Sequence, residues 1–109
     1  TTKQIGDKGE DLALNYLKKK GYELVERNYR SGRNEIDLIM KYKEFLVFVE
    51  VKYRKSGFFG FGEQFVDDAK LDRVKYAAED YIFSTNWKKD IQFDIIAITG
   101  KQVEHFMDV

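Results

Sequence analysis

The chain has 109 residues, 43% of them hydrophobic, which suits one packed core and excludes wholesale disorder. It has no cysteine and one histidine, which excludes disulfides, thiolate metal sites and His-rich zinc sites; a bound metal would have to use oxygen ligands, as Mg²⁺ or Mn²⁺ does. Acidic and basic residues balance at 19 each, which counts against nucleic-acid binding unless the charges segregate by face.

In chain order, residues 5–20 predict a first helix, because Ile5, Leu12, Ala13, Tyr16 and Leu17 recur at helical spacing. Lys18-Lys19-Lys20 followed by Gly21 is a stop signal: cations suit the helix C-terminus and glycine takes the left-handed cap. Residues 22–30 predict a first strand and Ser31-Gly32-Arg33-Asn34 a turn. Residues 35–41 and 45–53 predict two further strands, the latter β-branched and aromatic. Residues 55–64 predict a Gly/Phe loop, and 66–83 a second helix with Leu71, Val74, Ala78, Tyr81 and Ile82 on one face. Residues 91–98 and about 102–107 are the last strands, turning at Thr99-Gly100-Lys101. The order α-β-β-β-α-β-β predicts an α/β (α+β) fold, a mixed sheet flanked by helices, as one domain over 1–109.

Alternation along the strands groups the polar residues. Glu35, Asp37 and Ile39 share one face of the second strand, and Leu46, Phe48, Glu50 and Lys52 one face of the third. A hairpin closing around Tyr42-Lys43 would set Asp37 opposite Phe48 and Glu35 opposite Glu50. Asp37 and Glu50 then become diagonal neighbours, about 7–8 Å apart at Cα, close enough to converge on one small cation. Lys52 lies two residues beyond Glu50 on the same face and could contact a phosphate or position water. Two readings stay open: a metal site, or an acidic pair salt-bridged by Lys52. The apolar surroundings of Glu50 favour the first more than an arbitrary Glu-x-Lys would, since a carboxylate there needs a partner. Glu10, at the edge of the first helix's apolar face, is a further candidate ligand, though a first-turn Glu also suits the helix dipole.

Other residues have two readings as well. The basic clusters are Lys18-Lys19-Lys20, Arg27 with Arg30 and Arg33, and Lys52 with Arg54 and Lys55. Asn28 and Arg30 could touch phosphate or brace the 31–34 turn. Phe58, Phe59 and Phe61 could stack on unpaired bases or seal a homodimer, or the loop could bury its own aromatics. Asp94, in an apolar strand, reads as structural, hydrogen-bonded to a loop or an Arg, and His105 as an ordinary edge-strand residue. No apolar run nears the roughly 18 residues a bilayer requires. The polar start Thr1-Thr2-Lys3-Gln4 lacks a signal-peptide pattern, so a cytoplasmic protein with no membrane partner is expected.

Asp37 followed by Glu50-Val51-Lys52 resembles the PD-(D/E)XK nuclease signature. The motifs Gly6-x-x-Gly9-Glu10-x-x-Ala13, Glu26-Arg27-Asn28-Tyr29-Arg30, Glu35-Ile36-Asp37-Leu38-Ile39 and Val47-Phe48-Val49-Glu50-Val51-Lys52 resemble the YraN family of small bacterial proteins, to which an endonuclease role is ascribed. The likeness continues through Lys70, Ala77-Ala78, Phe93-Asp94 and Val103-Glu104-His105, nearly the whole chain. It implies a restriction-endonuclease-like fold, like that of Holliday-junction resolvases. It implies Mg²⁺- or Mn²⁺-dependent hydrolysis of DNA, branched or single-stranded DNA included. It implies Glu10, Asp37 and Glu50 as acids and metal ligands and Lys52 as catalytic lysine. Glu35 matches the pattern with a less defined role, and Arg27, Asn28, Arg30, Arg54 and Lys70 are expected on the nucleic acid. Ile36 replaces the proline of the signature, Asn34 the usual glycine before Glu35, and Leu71 the Gln that often follows the helix-2 lysine. The last puts catalysis in question, and a non-catalytic nucleic-acid-binding or assembly module is the alternative.

Overall fold

A computed structural model describes residues 2–54 and 68–109, with side chains from Lys8 to Tyr53 and from Leu71 onward. The Phe58–Phe61 loop lies outside the described residues. Seven elements follow in order: α1 (Thr2–Lys19), β1 (Glu23–Ser31), β2 (Asn34–Tyr42), β3 (Phe45–Arg54), α2 (Asp68–Thr85), β4 (Ile91–Thr99) and β5 (Gln102–Phe106). Each falls within about three residues of the sequence-based bounds. Local chemistry explains the helix ends. Gly21, at φ 96°, ends α1 in a Schellman motif: Tyr22 N–H donates to the Leu17 carbonyl and Gly21 N–H to that of Lys18, each at 3.0 Å. Asn86, at φ 58°, plays the same part after α2, where Trp87 N–H donates to the Ile82 carbonyl at 3.2 Å.

The strands form one sheet in the order β1-β2-β3-β4-β5. β3 and β4 pair in parallel and the other neighbours antiparallel. A parallel pair needs a long crossover, and the segment holding α2 supplies it. The fold is therefore the expected mixed α/β sheet with helices against it. Each face of the sheet has its own core. On one, Ala13 and Leu17 of α1 meet Leu38, Met40, Val47, Val49, Ile96 and Ile98. On the other, Val74, Ala77, Ala78 and Tyr81 of α2 meet Ile36, Ile39, Leu46 and Phe48. Central β3 is buried on both faces, which is why it reads as a continuous apolar run rather than an alternating one. No helix among the described residues is long and apolar enough to cross a membrane.

The β2–β3 register differs from the expected one. Tyr42 faces Phe45 and Ile39 faces Phe48, so the turn is Lys43-Glu44 rather than Tyr42-Lys43. Lys43 takes the left-handed conformation, φ 54°, that lets so short a loop close. The offset is two residues, which preserves side-chain parity, so Asp37 and Glu50 keep a common face. Glu35 does not sit opposite Glu50. It pairs with Arg30 of β1 in the neighbouring ladder.

Candidate active site

The β2–β3 ladder stops at Leu38↔Val49. Beyond it β2 stays with β1 as far as Ser31↔Asn34, while β3 stays with β4 as far as Arg54↔Thr99. The two central strands part into a fork. A strand leaving its partner exposes backbone groups that need new partners. Asp37 answers one of them: its Oδ2 accepts a hydrogen bond from the Val51 N–H at 2.8 Å. The side chain thus spans the gap where a β2 carbonyl would otherwise sit, and this fixes the Asp37 carboxylate beside the Glu50-Val51-Lys52 segment.

A cavity of about 220 Å³ opens at this fork, lined by Arg33, Asn34, Glu35, Asp37, Glu50, Arg73 and Val74. Glu50 is 8% exposed, between Val49 and Val51 on the central strand β3. A carboxylate at such depth requires compensation. Part of it is Lys52, whose Nζ lies 3.6 Å from Glu50 Oε1. The expected grouping of Asp37, Glu50 and Lys52 at one place is therefore present. The donors that Asp37 and Glu50 offer are hard carboxylate oxygens, which fits Mg²⁺ or Mn²⁺ and not a thiophilic ion. Among the described residues no three His, Cys, Asp or Glu side chains gather as a metal-binding group.

Glu10 stands on α1, whose apolar face packs the opposite side of the sheet from α2. Gly9 permits a close approach there: an added Cβ would lie 3.4 Å from the Tyr53 ring. Glu10 Oε1 pairs with Arg27 Nε at 3.2 Å, and Asp11 Oδ1 with Arg27 Nη1 at 2.7 Å. The Asn28 amide, oriented with its nitrogen toward Glu10, donates to both carboxylate oxygens at 3.2 and 3.3 Å. Arg27 is held above its ordinary pKa, first by the hydrogen bond to Asp11 and then, against partial desolvation, by Glu10. Arg30 Nε donates to Glu35 Oε2 at 2.8 Å. Arg27, Asn28 and Arg30, expected on nucleic acid, thus engage carboxylates of this chain. The side chains of Arg54 and Lys70 lie outside the described residues.

Sequence reasoning did not single out Asn34 or Arg73 as lining residues. Asn34 begins β2 and reads from the sequence as the end of a turn and as the replacement of a glycine. Arg73 precedes Val74, the first α2 residue of the second core. A cation flanking an apolar helix face has no local signature, and only the packing of α2 on the sheet brings it to the fork.

A second polar cluster lies on the α1 face. Asp94 is fully buried, and its Oδ2 accepts from His105 Nε2 at 2.7 Å and from the Tyr22 hydroxyl at 3.3 Å. Its Oδ1 accepts from Gln92 Nε2 at 2.9 Å and from the Asp108 N–H at 3.0 Å. Lys20 Nζ lies 2.9 Å from His105 Nδ1. An ammonium can only donate, so Nδ1 accepts and Nε2 carries the proton. Burial alone would raise the Asp94 pKa, but the bonds from His105, Asp108 and Gln92 outweigh it and hold the group below its ordinary value. Tyr22 moves up, chiefly through burial and then through the Asp94 charge. Asp94 is structural, as expected. Its partners are His105, Tyr22, Gln92 and a backbone amide rather than an Arg, and His105 is no ordinary edge residue.

Fold and site together define a small α/β protein whose central strands part around an Asp and a Glu-x-Lys. The chain belongs to the uncharacterised protein family UPF0102, whose model matches residues 9–98. It is 45% identical over 107 residues to a UPF0102 protein of Cytophaga hutchinsonii, covering 97% of this chain and 95% of that one. A UPF0102 protein of Caldanaerobacter subterraneus is 44% identical over 114 aligned positions, covering 97% and 93%. One of Shewanella oneidensis is 39% identical over 104, covering 95% and 96%.

Proposed function

We propose that this chain is a cytoplasmic, Mg²⁺- or Mn²⁺-dependent DNA endonuclease of the PD-(D/E)XK type, acting on phosphodiester bonds in branched, damaged or single-stranded DNA. The observation that carries the reading is the fork: Asp37, tied to the Val51 N–H, and Glu50, 3.6 Å from Lys52 Nζ, line one solvent-open cavity. Asp37 and Glu50 would hold the ion. When bound it supplies Lewis acidity toward the phosphate and acidifies water. The chain's own groups do the rest. Lys52 places a positive charge beside Glu50, where it would oppose negative charge building on the phosphate and orient a water molecule. The Val51 amide keeps Asp37 aimed across the gap, so its carboxylate needs no reorganisation as charge develops. Glu10, the acid the family resemblance implies from α1, is held by Arg27 and Asn28 and does not line this cavity.

The test is cleavage of branched, nicked and single-stranded DNA with each ion. Asp37→Asn and Lys52→Met should each lower the rate by about two orders of magnitude or more while the melting temperature stays native-like. Calorimetry with Mn²⁺ should register binding to the parent and a large loss in Glu50→Gln. Cleavage by Asp37→Asn at the parental rate would remove the assignment. A second reading, a DNA-binding module without turnover, is favoured by one observation: Glu10 is engaged by Arg27, and no third acid joins Asp37 and Glu50 among the described residues. Salt-sensitive DNA binding indifferent to metal, with no turnover on any substrate, would decide for it.

A further inference from the structure

The cavity at the fork does not end at the acids. A second one, about 260 Å³, shares Asn34 and Arg73 with it and is completed by Asp72 and Tyr76 of α2. The two make a trough that begins at Asp37 and Glu50, passes the Arg73 guanidinium and finishes at Tyr76. Its chemistry changes along its length. The inner end is carboxylate. Arg33 lines the inner cavity beside those acids and Arg73 stands at the junction of the two; both are exposed and make no ion pair or side-chain hydrogen bond among the described residues. The outer end presents a tyrosine that is 64% exposed, one turn along α2 from Arg73.

A carboxylate pair able to hold an ion on one phosphate, then a guanidinium for the next phosphate, then an aromatic plate for a base follow the order in which one nucleic-acid strand would present those groups. Arginine forks suit phosphate oxygens. An exposed ring offers a stacking surface to any base whose face is accessible. Inside a duplex that face is covered by neighbouring pairs, so only an unpaired nucleotide can use it. Asp72, an acceptor, lies on this outer cavity, where base amino groups rather than phosphates would arrive.

We propose that this trough seats one unpaired nucleotide beside the phosphate held at the fork, with Arg33 and Arg73 on its phosphate and Tyr76 stacked on its base. The proposal rests on the endonuclease reading and adds substrate selection to it: the strand is taken where it is single, at a flap, gap or branch.

Binding read without divalent ion keeps recognition apart from cleavage. The probes are a fluorescein-labelled mixed-sequence 12-mer and its 12-base-pair duplex, followed by anisotropy across a salt series. Tyr76→Ala should weaken single-strand binding about tenfold, leave the salt slope unchanged and barely alter duplex binding; Tyr76→Trp should restore it. Arg73→Gln should lower the magnitude of the slope of log K against log salt by about 0.7 for the single strand. Tyr76 is exposed and Ala favours helix, so a folding defect does not cloud the result. Equal effects of Tyr76→Ala on single strand and duplex, or none on either, would overturn the nucleotide seat. If Asp37→Asn abolishes cleavage while Tyr76→Ala leaves the parental preference for unpaired strands intact, the seat is wrong and the endonuclease stands. Single-strand binding that follows the expected pattern, from a parent that cleaves nothing, upholds the seat and removes the nuclease.

Discussion

Two carboxylates sit deep in this sheet, and they are built in opposite ways. Asp94 has four donors on two oxygens, from three side chains and one backbone amide, and no opening to solvent. Glu50 lies beside a lysine at 3.6 Å, on a strand that has left its partner, with a cavity over it. A carboxylate accepts about four hydrogen bonds, so Asp94 is saturated and can take no ligand without losing what holds it. The fork has room for one. Saturation marks a structural group, whereas an opening lined by Glu35, Asp37, Glu50, Arg33 and Arg73 leaves Glu50 accessible to a ligand. The Asp94 cluster ties four pieces of chain together: the end of α1 through Lys20, the entry to β1 through Tyr22, and both β4 and β5. It also fixes the tail, where Val109 N–H donates to the Phe93 carbonyl at 2.8 Å.

The strongest way to break this contrast is Asp94→Ala. It leaves the His105, Tyr22 and Gln92 donors buried without their common acceptor, and should lower stability by about 3–5 kcal/mol, read from urea midpoints at constant m-value. A loss under about 1 kcal/mol would deny Asp94 its structural role. Glu50→Gln should move stability by no more than about 1 kcal/mol in either direction, because it removes a buried charge together with its partner interaction. A fall as large as that of Asp94→Ala would make the fork a structural element like the other cluster.

That pairing also marks what the sequence could reveal. The apolar periods and the Gly21 stop located every element, since both are local. The shared face of Asp37, Glu50 and Lys52 was legible because a two-residue error in register leaves parity intact. The turn itself was misplaced because Lys43-Glu44 has no Asn-Gly signal; the chain accepts a lysine at positive φ instead. The fork could not be read, because it depends on where two ladders stop competing for β2 and β3. The same holds for Arg73, carried in by α2 across a crossover, and for His105. The latter reaches Asp94 diagonally, through the Ile96↔His105 register of β4 and β5, which the sequence of the two strands does not announce.

Acid and base titrations sharpen the comparison at smaller scale. Asp94 is held below its ordinary pKa. A depressed acid contributes stability above its unfolded value, near 3.9, and loses it as pH falls through the folded value. Tyr22 is held above its ordinary range by burial and by Asp94. A raised tyrosine contributes below its unfolded value, near 10, and loses that contribution as pH climbs beyond it. The cluster should therefore weaken at both ends of the scale. Above pH 10, stability should fall by about 1.4 kcal/mol less per pH unit in Tyr22→Phe than in the parent, one proton fewer being released on unfolding. Tyr81, also raised by burial, keeps its own share in both proteins. Identical alkaline slopes for parent and variant would mean that Tyr22 is not coupled to the buried acid.

The smallest effect concerns Glu35, which lines the fork yet bonds to Arg30 across the β1–β2 ladder at 2.8 Å. Its side chain is 35% exposed and that of Arg30 is 77% exposed, so water and salt screen the pair. A double-mutant cycle with Glu35→Gln and Arg30→Gln should give a coupling of about 0.2–1 kcal/mol, shrinking as salt approaches 1 M. Exposure is the reason Glu35 resembles neither carboxylate of the contrast: it lacks the donors that saturate Asp94 and the depth that makes Glu50 dependent on its surroundings. Glu35→Gln should accordingly leave Mn²⁺ binding within about twofold, whereas Glu50→Gln removes most of it. A coupling well above 1 kcal/mol that resists salt would place Glu35 in the shielded part of the fork, and would make it a third acid of the site.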